Sequence, residues 1–311
     1  GSPLREGGGL FHALIGTLEQ VGMAALISVP ISILVAIYLV EYGRGRLATW
    51  VTLFVDVMTG VPSIVAGLFG ACVGSFLNVC IYRIPKDLSI VRPGSRCPAC
   101  GGAIAWYDNI PILSWLALRA RCRQCGAPIS PRYVVVETLV AALWAALAWR
   151  YGWSPMFWLG AVAVAGLTLA TFVDLDEMYI PDRVSLGGIV VGLVAAWLWP
   201  ELHDVDRRWV AVGRSAFGAA VGAGTLWGLA WIGERIFGQE AMGMGDVKLM
   251  GAIGACFGWS AVLFTFLTSS FAGAAVGLSL VALRRRELRS AIPFGPFLAF
   301  DQLAEQVASL S

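Results

Sequence analysis

The feature that most constrains this chain is a carboxylate set inside apolar sequence. Gly243-Met244-Gly245-Asp246 runs directly into Val247-Lys248-Leu249-Met250-Gly251, so Asp246 sits at the mouth of a hydrophobic segment. An ionisable group in such a place is costly and marks a functional site by default. A second burst of acids, Asp174-Leu175-Asp176-Glu177 followed by Asp182, comes immediately after the apolar run from Phe157 to Val173. Two isolated carboxylates at the ends of hydrophobic helices point to an acid pair of the aspartyl-protease kind. In a poorly solvated site they cannot both ionise readily and share one proton.

The rest of the chain fits a membrane setting. Hydrophobic residues make up 58% of the 311 and charged residues 14%, with a mean hydropathy of +0.75, far too apolar for an ordinary soluble domain. The expected class is an all-α polytopic membrane protein embedded in the lipid bilayer, with about eight transmembrane segments. Apolar runs lie at 11–40, 61–82, 134–150, 155–173, 183–199, 209–237, 247–258 and 260–283. The short run after Asp246 places that acid at some depth. Glycines such as Gly218, Gly222 and Gly224 read as helix-packing residues. Only His12 and His203 are available for histidine chemistry. Nothing points to nucleic acid.

Between the second and third spans lies a polar loop with eight Lys or Arg and two acids from Arg83 to Arg132. That bias assigns the loop to the cytoplasm. Counting spans outward from it delivers Asp174 and Asp246 to the same cytoplasmic face. The loop carries Cys97-Pro98-Ala99-Cys100-Gly101 and Cys122-Arg123-Gln124-Cys125-Gly126, two Cys-x-x-Cys pairs with 21 residues between them. Four converging thiolates at this spacing predict a tetrahedral Zn2+ site of Cys97, Cys100, Cys122 and Cys125. Disulfides are the alternative, disfavoured in a reducing compartment. Cys72, Cys80 and Cys256 fall in apolar runs and read as core.

Several separated motifs carry a family resemblance over about residues 70–300. They are Gly74-Ser75-Phe76-Leu77-Asn78, the paired Cys-x-x-Cys, Asn109-Ile110-Pro111-Ile112-Leu113-Ser114-Trp115, Ile129-Ser130-Pro131-Arg132-Tyr133, the Asp174 to Asp182 block, and Gly243 to Lys248. In order and spacing they resemble the bacterial type IV prepilin peptidases. The resemblance implies an aspartic endopeptidase of the bacterial inner membrane with Asp174 and Asp246 as the catalytic pair, and with Gly243, Gly245 and Lys248 as motif support. It implies prepilin or type II secretion pseudopilin substrates, cut on the cytoplasmic face. It further implies methylation of the new N-terminus from S-adenosylmethionine, for which no residues are assigned. Two alternatives stay open: a non-enzymatic zinc membrane adaptor, and a different Gly-x-Gly-Asp intramembrane protease.

Glu41-Tyr42-Gly43-Arg44-Gly45 and Gly60-Val61-Pro62-Ser63-Ile64-Val65-Ala66-Gly67 resemble instead the permease subunit of phosphate ABC transporters. The expected organisation is therefore a permease-like fragment or extension over 1–69, a first peptidase helix with its zinc loop over 70–133, and the peptidase helices over 134–311. The polar end from Asp301 to Ser311 departs from the peptidase pattern, which points to a replaced or shortened last helix.

Overall fold

A computed structural model describes residues 46–238, 243–282, 296 and 298 of the chain. Two compact units divide at Gly60 and Val61. In the first, residues 46–60 are helical; the second carries every site discussed below. The described residues hold helices and 3₁₀ turns, and their only β pairing is two isolated bridges. The helices are α1 (Arg46–Arg83), the short α2 (Leu113–Ala117), α3 (Arg132–Tyr151), α4 (Pro155–Glu177), α5 (Asp182–Leu198), α6 (Arg208–Phe237) and α7 (Met244–Ala282). Five of these contain a stretch long and apolar enough to cross a membrane: Val61–Lys86, Arg132–Tyr151, Pro155–Glu177, Arg208–Ile236 and Met244–Ala275. The all-helical, multi-pass class thus agrees with expectation, whereas the count of eight does not emerge. The run at 11–40 lies outside the described residues, and α5 is only 17 residues long.

The run at 247–258 and the described residues of the run at 260–283 fall within α7, which is interrupted at Gly258 with φ +86° and ψ 175°. Such a backbone cannot continue a helix, and φ in this range favours glycine. A Cβ placed on Gly254 would stand 3.0 Å from Cγ2 of Val262, eight positions on. In an unbroken helix these positions are about 12 Å apart along the axis, so the second leg turns sharply back against the first.

Small residues bring the helices together. Lipid supplies no hydrophobic drive between spans, so association rests on close packing and interhelical hydrogen bonds. Gly74 of α1 lies so near α3 that a Cβ would meet Cα of Glu137 at 2.8 Å. One turn further, Asn78 donates from Nδ2 to the carbonyl of Tyr133 at 3.1 Å. Gly192 of α5 faces Ala255, where a Cβ would come within 2.6 Å of the carbonyl carbon. Gly218 of α6 abuts the backbone of Gly254, and Gly222 that of Met250. The first leg of α7 is accordingly enclosed, with Leu249, Met250, Ile253 and Ala255 all buried. Gly224, expected to pack similarly, has open space where its Cβ would be.

The ends of the bundle differ in chemistry. At one end lie Trp149, Trp153, Trp158, Trp197 and Trp209, all exposed, as befits side chains at a membrane interface. Trp197 and Trp209 stack edge to face at 4.7 Å between ring centres. At the other end the polar loop joins α1 to α3, and the acid-bearing ends of α4 and α7 meet. The packing makes a paired prediction. Gly218→Ala forces α6 off α7 and lowers stability by about 1–3 kcal/mol, whereas Gly224→Ala is neutral or slightly stabilising. Melting of the two variants in the same detergent checks the contrast; equal behaviour would contradict the close contact.

Candidate active site and metal centre

Asp174 lies in the last turn of α4, with its side chain buried at 6% exposure. The helix stops four residues later, where Met178 adopts a left-handed conformation (φ 50°) and its N–H donates to the carbonyl of Asp174 at 2.9 Å. Tyr179 and Ile180 then cross to Pro181, and α5 starts at Asp182. This corner is the seat for the start of α7. A Cβ on Gly245 would stand 2.9 Å from Cβ of Ile180, so only a residue without a side chain lets the helix start so close.

That approach brings Asp246 into electrostatic contact with Asp174. Its backbone N–H donates to the carbonyl of Gly243 at 3.2 Å, closing the first turn. Its Oδ1 is buried and has no hydrogen-bond partner among the described residues. A buried, unsatisfied carboxylate oxygen is expensive, and it is the kind of atom that a substrate or water occupies in a working site. Gly243 leaves room beside it, since a Cβ there would lie 3.6 Å from Oδ2 of Asp246.

The neighbouring acids are occupied elsewhere. Arg132, the first residue of α3, grips Asp176 through Nη1 at 2.7 and 2.8 Å and donates from Nη2 to the carbonyl of Phe172 at 3.0 Å. Lys248 pairs with Asp182 through Nζ at 2.7 Å. Asp182 is the first residue of α5 and does not cap it, because Pro181 takes the N-cap position without a side-chain hydrogen bond. Lys248 therefore binds across to α5 and leaves Asp246 alone, fixing the start of α7 against the corner that holds Asp174. In the sequence Lys248 stands only as motif support; the acid it pairs with opens another helix 66 positions earlier.

The second site is the cysteine cluster. Ligand atoms of Cys97, Cys100, Cys122 and Cys125 all lie within 4.8 Å of one another. Sγ of Cys97 and Sγ of Cys125 are 3.8 Å apart, close to the ~3.8 Å edge of a tetrahedron with Zn–S bonds of about 2.3 Å. The two halves are built alike. Gly101 and Gly126 have φ of +70° and +69°, which only glycine adopts without strain. The N–H of Gly101 donates to the carbonyl of Cys97, and that of Gly126 to Cys122, both at 2.9 Å. Isolated bridges between Arg96 and Ala103 and between Arg121 and Pro128 close each turn. Backbone N–H groups of Cys100 and Ala99 point at the Cys97 sulfur and pull its thiol down to about 6. Four thiols, each turn aiming donors at its sulfurs, fit a soft, tetrahedral cation. Arg123 braces the loop by a bidentate pair with Asp108 at 2.7 and 2.8 Å; that contact holds the Asp108 carboxyl below its usual range.

One functional candidate was missed from sequence. Glu137 of α3 is buried at 7% exposure, and its Oε2 accepts the N–H of Ile112 at 2.7 Å. Three positions to one side lies Val140 and three to the other Val134, so its place in an apolar run was the signal available.

Comparison with known proteins places these sites in two matched segments. The Bacterial Peptidase A24 N-terminal domain matches residues 68–151, and the Type IV leader peptidase family matches residues 161–278. The cysteine cluster falls in the first segment, and Asp174 and Asp246 in the second. Curated relatives called prepilin leader peptidase/N-methyltransferase include one from Myxococcus xanthus, 44% identical over 69% of this chain and 62% of its own length. Another from Aeromonas hydrophila is 39% identical over 75% of this chain and 86% of its own. A third from Pseudomonas aeruginosa is 35% identical, with 75% and 85% covered. No solved structure matches. The permease resemblance of residues 7–69 finds no support, since the family match opens at residue 68. Over the segments that hold both sites, the chain belongs to the type IV leader peptidase family.

Proposed function

We propose that this chain is an aspartic endopeptidase of the bacterial inner membrane. It removes the leader of type IV prepilins or type II secretion pseudopilins on the cytoplasmic face and methylates the new N-terminus. The observation that carries the reading is the meeting of Asp246, with its buried and unpartnered Oδ1, and the buried Asp174 in a chain of this family. The basic loop from Arg83 to Arg132 joins α1 and α3 at the end of the bundle where these acids lie, which supports a cytoplasmic site.

In the proposed reaction one carboxylate takes a proton from water as its oxygen attacks the scissile carbonyl carbon. The other carboxylic acid gives its proton to the departing nitrogen as the C–N bond breaks. Such proton transfers contribute about 10²–10⁴-fold each. Gly243 keeps the approach to Asp246 low, so an extended peptide can lie across it, while Gly245 seats the helix start on Ile180. Cys97, Cys100, Cys122 and Cys125 would hold Zn2+, which would tie the two halves of the loop together. S-adenosylmethionine, when bound, supplies the methyl group for the freed amine.

Two measurements test this reading. Mass spectrometry of a prepilin incubated with the detergent-purified chain detects leader loss. Asp174→Asn and Asp246→Asn should each lower kcat/KM by at least about 10²-fold. Asp176→Asn, which removes only a partly exposed ion pair, should keep most activity. Near-parental cleavage by either of the first two would refute the assignment. Separately, Cys97→Ser should bring zinc from about one per chain toward zero by elemental analysis; unchanged zinc would reject the four-thiolate site.

A further inference from the structure

Arg132 is badly placed for its own helix. It is the first residue of α3, where the positive end of the helix dipole disfavours a cation, and no acid shares that first turn. Its guanidinium reaches instead to the last turn of α4, the negative end of a different helix, where a cation is favoured. Three contacts meet there. Nη2 donates to the carbonyl of Phe172 at 3.0 Å, Nη1 pairs with Asp176 at 2.7 and 2.8 Å, and the guanidinium carbon lies 5.1 Å from the centre of the Phe172 ring.

The two gripped residues bracket Asp174. At about 100° of rotation per residue, Phe172 and Asp176 share one face of α4 and Asp174 lies on the opposite one. Arg132 therefore holds from behind the turn that presents the acid. That turn is the last before Met178 ends the helix, and it is at such ends that backbone partners run out and helices fray. The base from which Arg132 reaches is itself fixed on two sides. Asn78 of α1 donates to the carbonyl of Tyr133 at 3.1 Å. Glu137, further along α3, accepts at 2.7 Å the N–H of Ile112, whose φ of +62° is strained for a β-branched residue.

The ion pair alone does not account for this side chain. Arg132 and Asp176 are 35% and 40% exposed, and a pair so open to water contributes little. The bond to the Phe172 carbonyl is the more sheltered contact. A planar fork of donors lets one side chain hold a carbonyl and a carboxylate together, which the single ammonium of lysine does less well.

We propose that Arg132 is a positioning residue for leader removal, and that it sets Asp174 against Asp246 through the Phe172 carbonyl rather than through its ion pair with Asp176. The inference rests on the reading that these two acids cut the substrate. Without the grip the last turn of α4 relaxes, the spacing of the acids changes, and the reaction slows while substrate still binds. A displacement of about 1 Å is enough to cost on the order of 10²-fold in rate.

The test measures steady-state leader removal from a prepilin by the detergent-purified full chain. Arg132→Ala should lower kcat about 10²-fold and leave KM within about twofold, the split expected when positioning and not binding is lost. Asp176→Ala should stay within about fivefold of the parental kcat, because the bond to the Phe172 carbonyl survives it. Arg132→Lys, with the charge but not the fork, should fall between. Methylguanidinium added to Arg132→Ala should restore part of kcat, which a merely unfolded variant would not show, and should do nothing for Asp174→Asn. If Arg132→Ala does not accumulate as folded protein, Arg132→Lys and Arg132→Gln carry the same comparison with Asp176→Ala. A near-parental kcat in the Arg132 variants, a loss confined to KM, or a loss in Asp176→Ala as large as theirs would overturn the proposal. A parent chain that does not cleave, or parental cleavage by Asp174→Asn, would instead defeat the reading on which it rests.

Discussion

Everything at the loop end of the bundle depends on bringing two carboxylates together where water is scarce. Charge in a poorly solvated interior is tolerated only when something nearby compensates it or when it is put to use. Around Asp174 and Asp246 the compensation is arranged on the adjoining acids. Arg132 takes Asp176, and Lys248 takes Asp182. Each of these pairs is partly exposed and contributes little stability by itself, about 0–1 kcal/mol. Their effect is geometric. One ties the start of α3 to the end of α4, and the other ties the start of α7 to the start of α5, beside the two remaining acids.

Glycine makes the arrangement possible from the other side. The first leg of α7 is buried on α5 and α6 because Gly192, Gly218 and Gly222 let backbones touch, and Gly245 lets its start settle on Ile180. The bend at Gly258 then ends that leg after about fourteen residues, roughly 21 Å of helix. A helix that short cannot cross a hydrocarbon core of about 30 Å, so the acid near its start need not emerge far into water. Helix length, glycine placement and acid depth are thus one device.

Much of this was legible from sequence, for identifiable reasons. Asp174 and Asp246 stand out because each interrupts or abuts an apolar run, and the four cysteines because metal geometry leaves a signature in local spacing. The break in α7 leaves a trace in sequence too, since it falls at the end of the apolar run 247–258. What stayed hidden was tertiary. Nothing local distinguishes Gly218, pressed against Gly254, from Gly224, which faces open space. The strained turn at Ile112 has no propensity signal, because a long-range contact with Glu137 holds it. The number of spans is not settled by apolar length alone, which does not say which runs cross.

The site depends on the adjacency of Asp174 and Asp246, and a cross-link measures that directly. In membranes carrying the paired substitution Asp174→Cys and Asp246→Cys, mild oxidation or a short bifunctional thiol reagent should join α4 to α7 within one chain. Joining is detected as a bridged peptide after proteolysis, and the pair Asp176→Cys with Asp246→Cys should join far less. Failure of the first pair to join while the second joins readily would contradict the site described here.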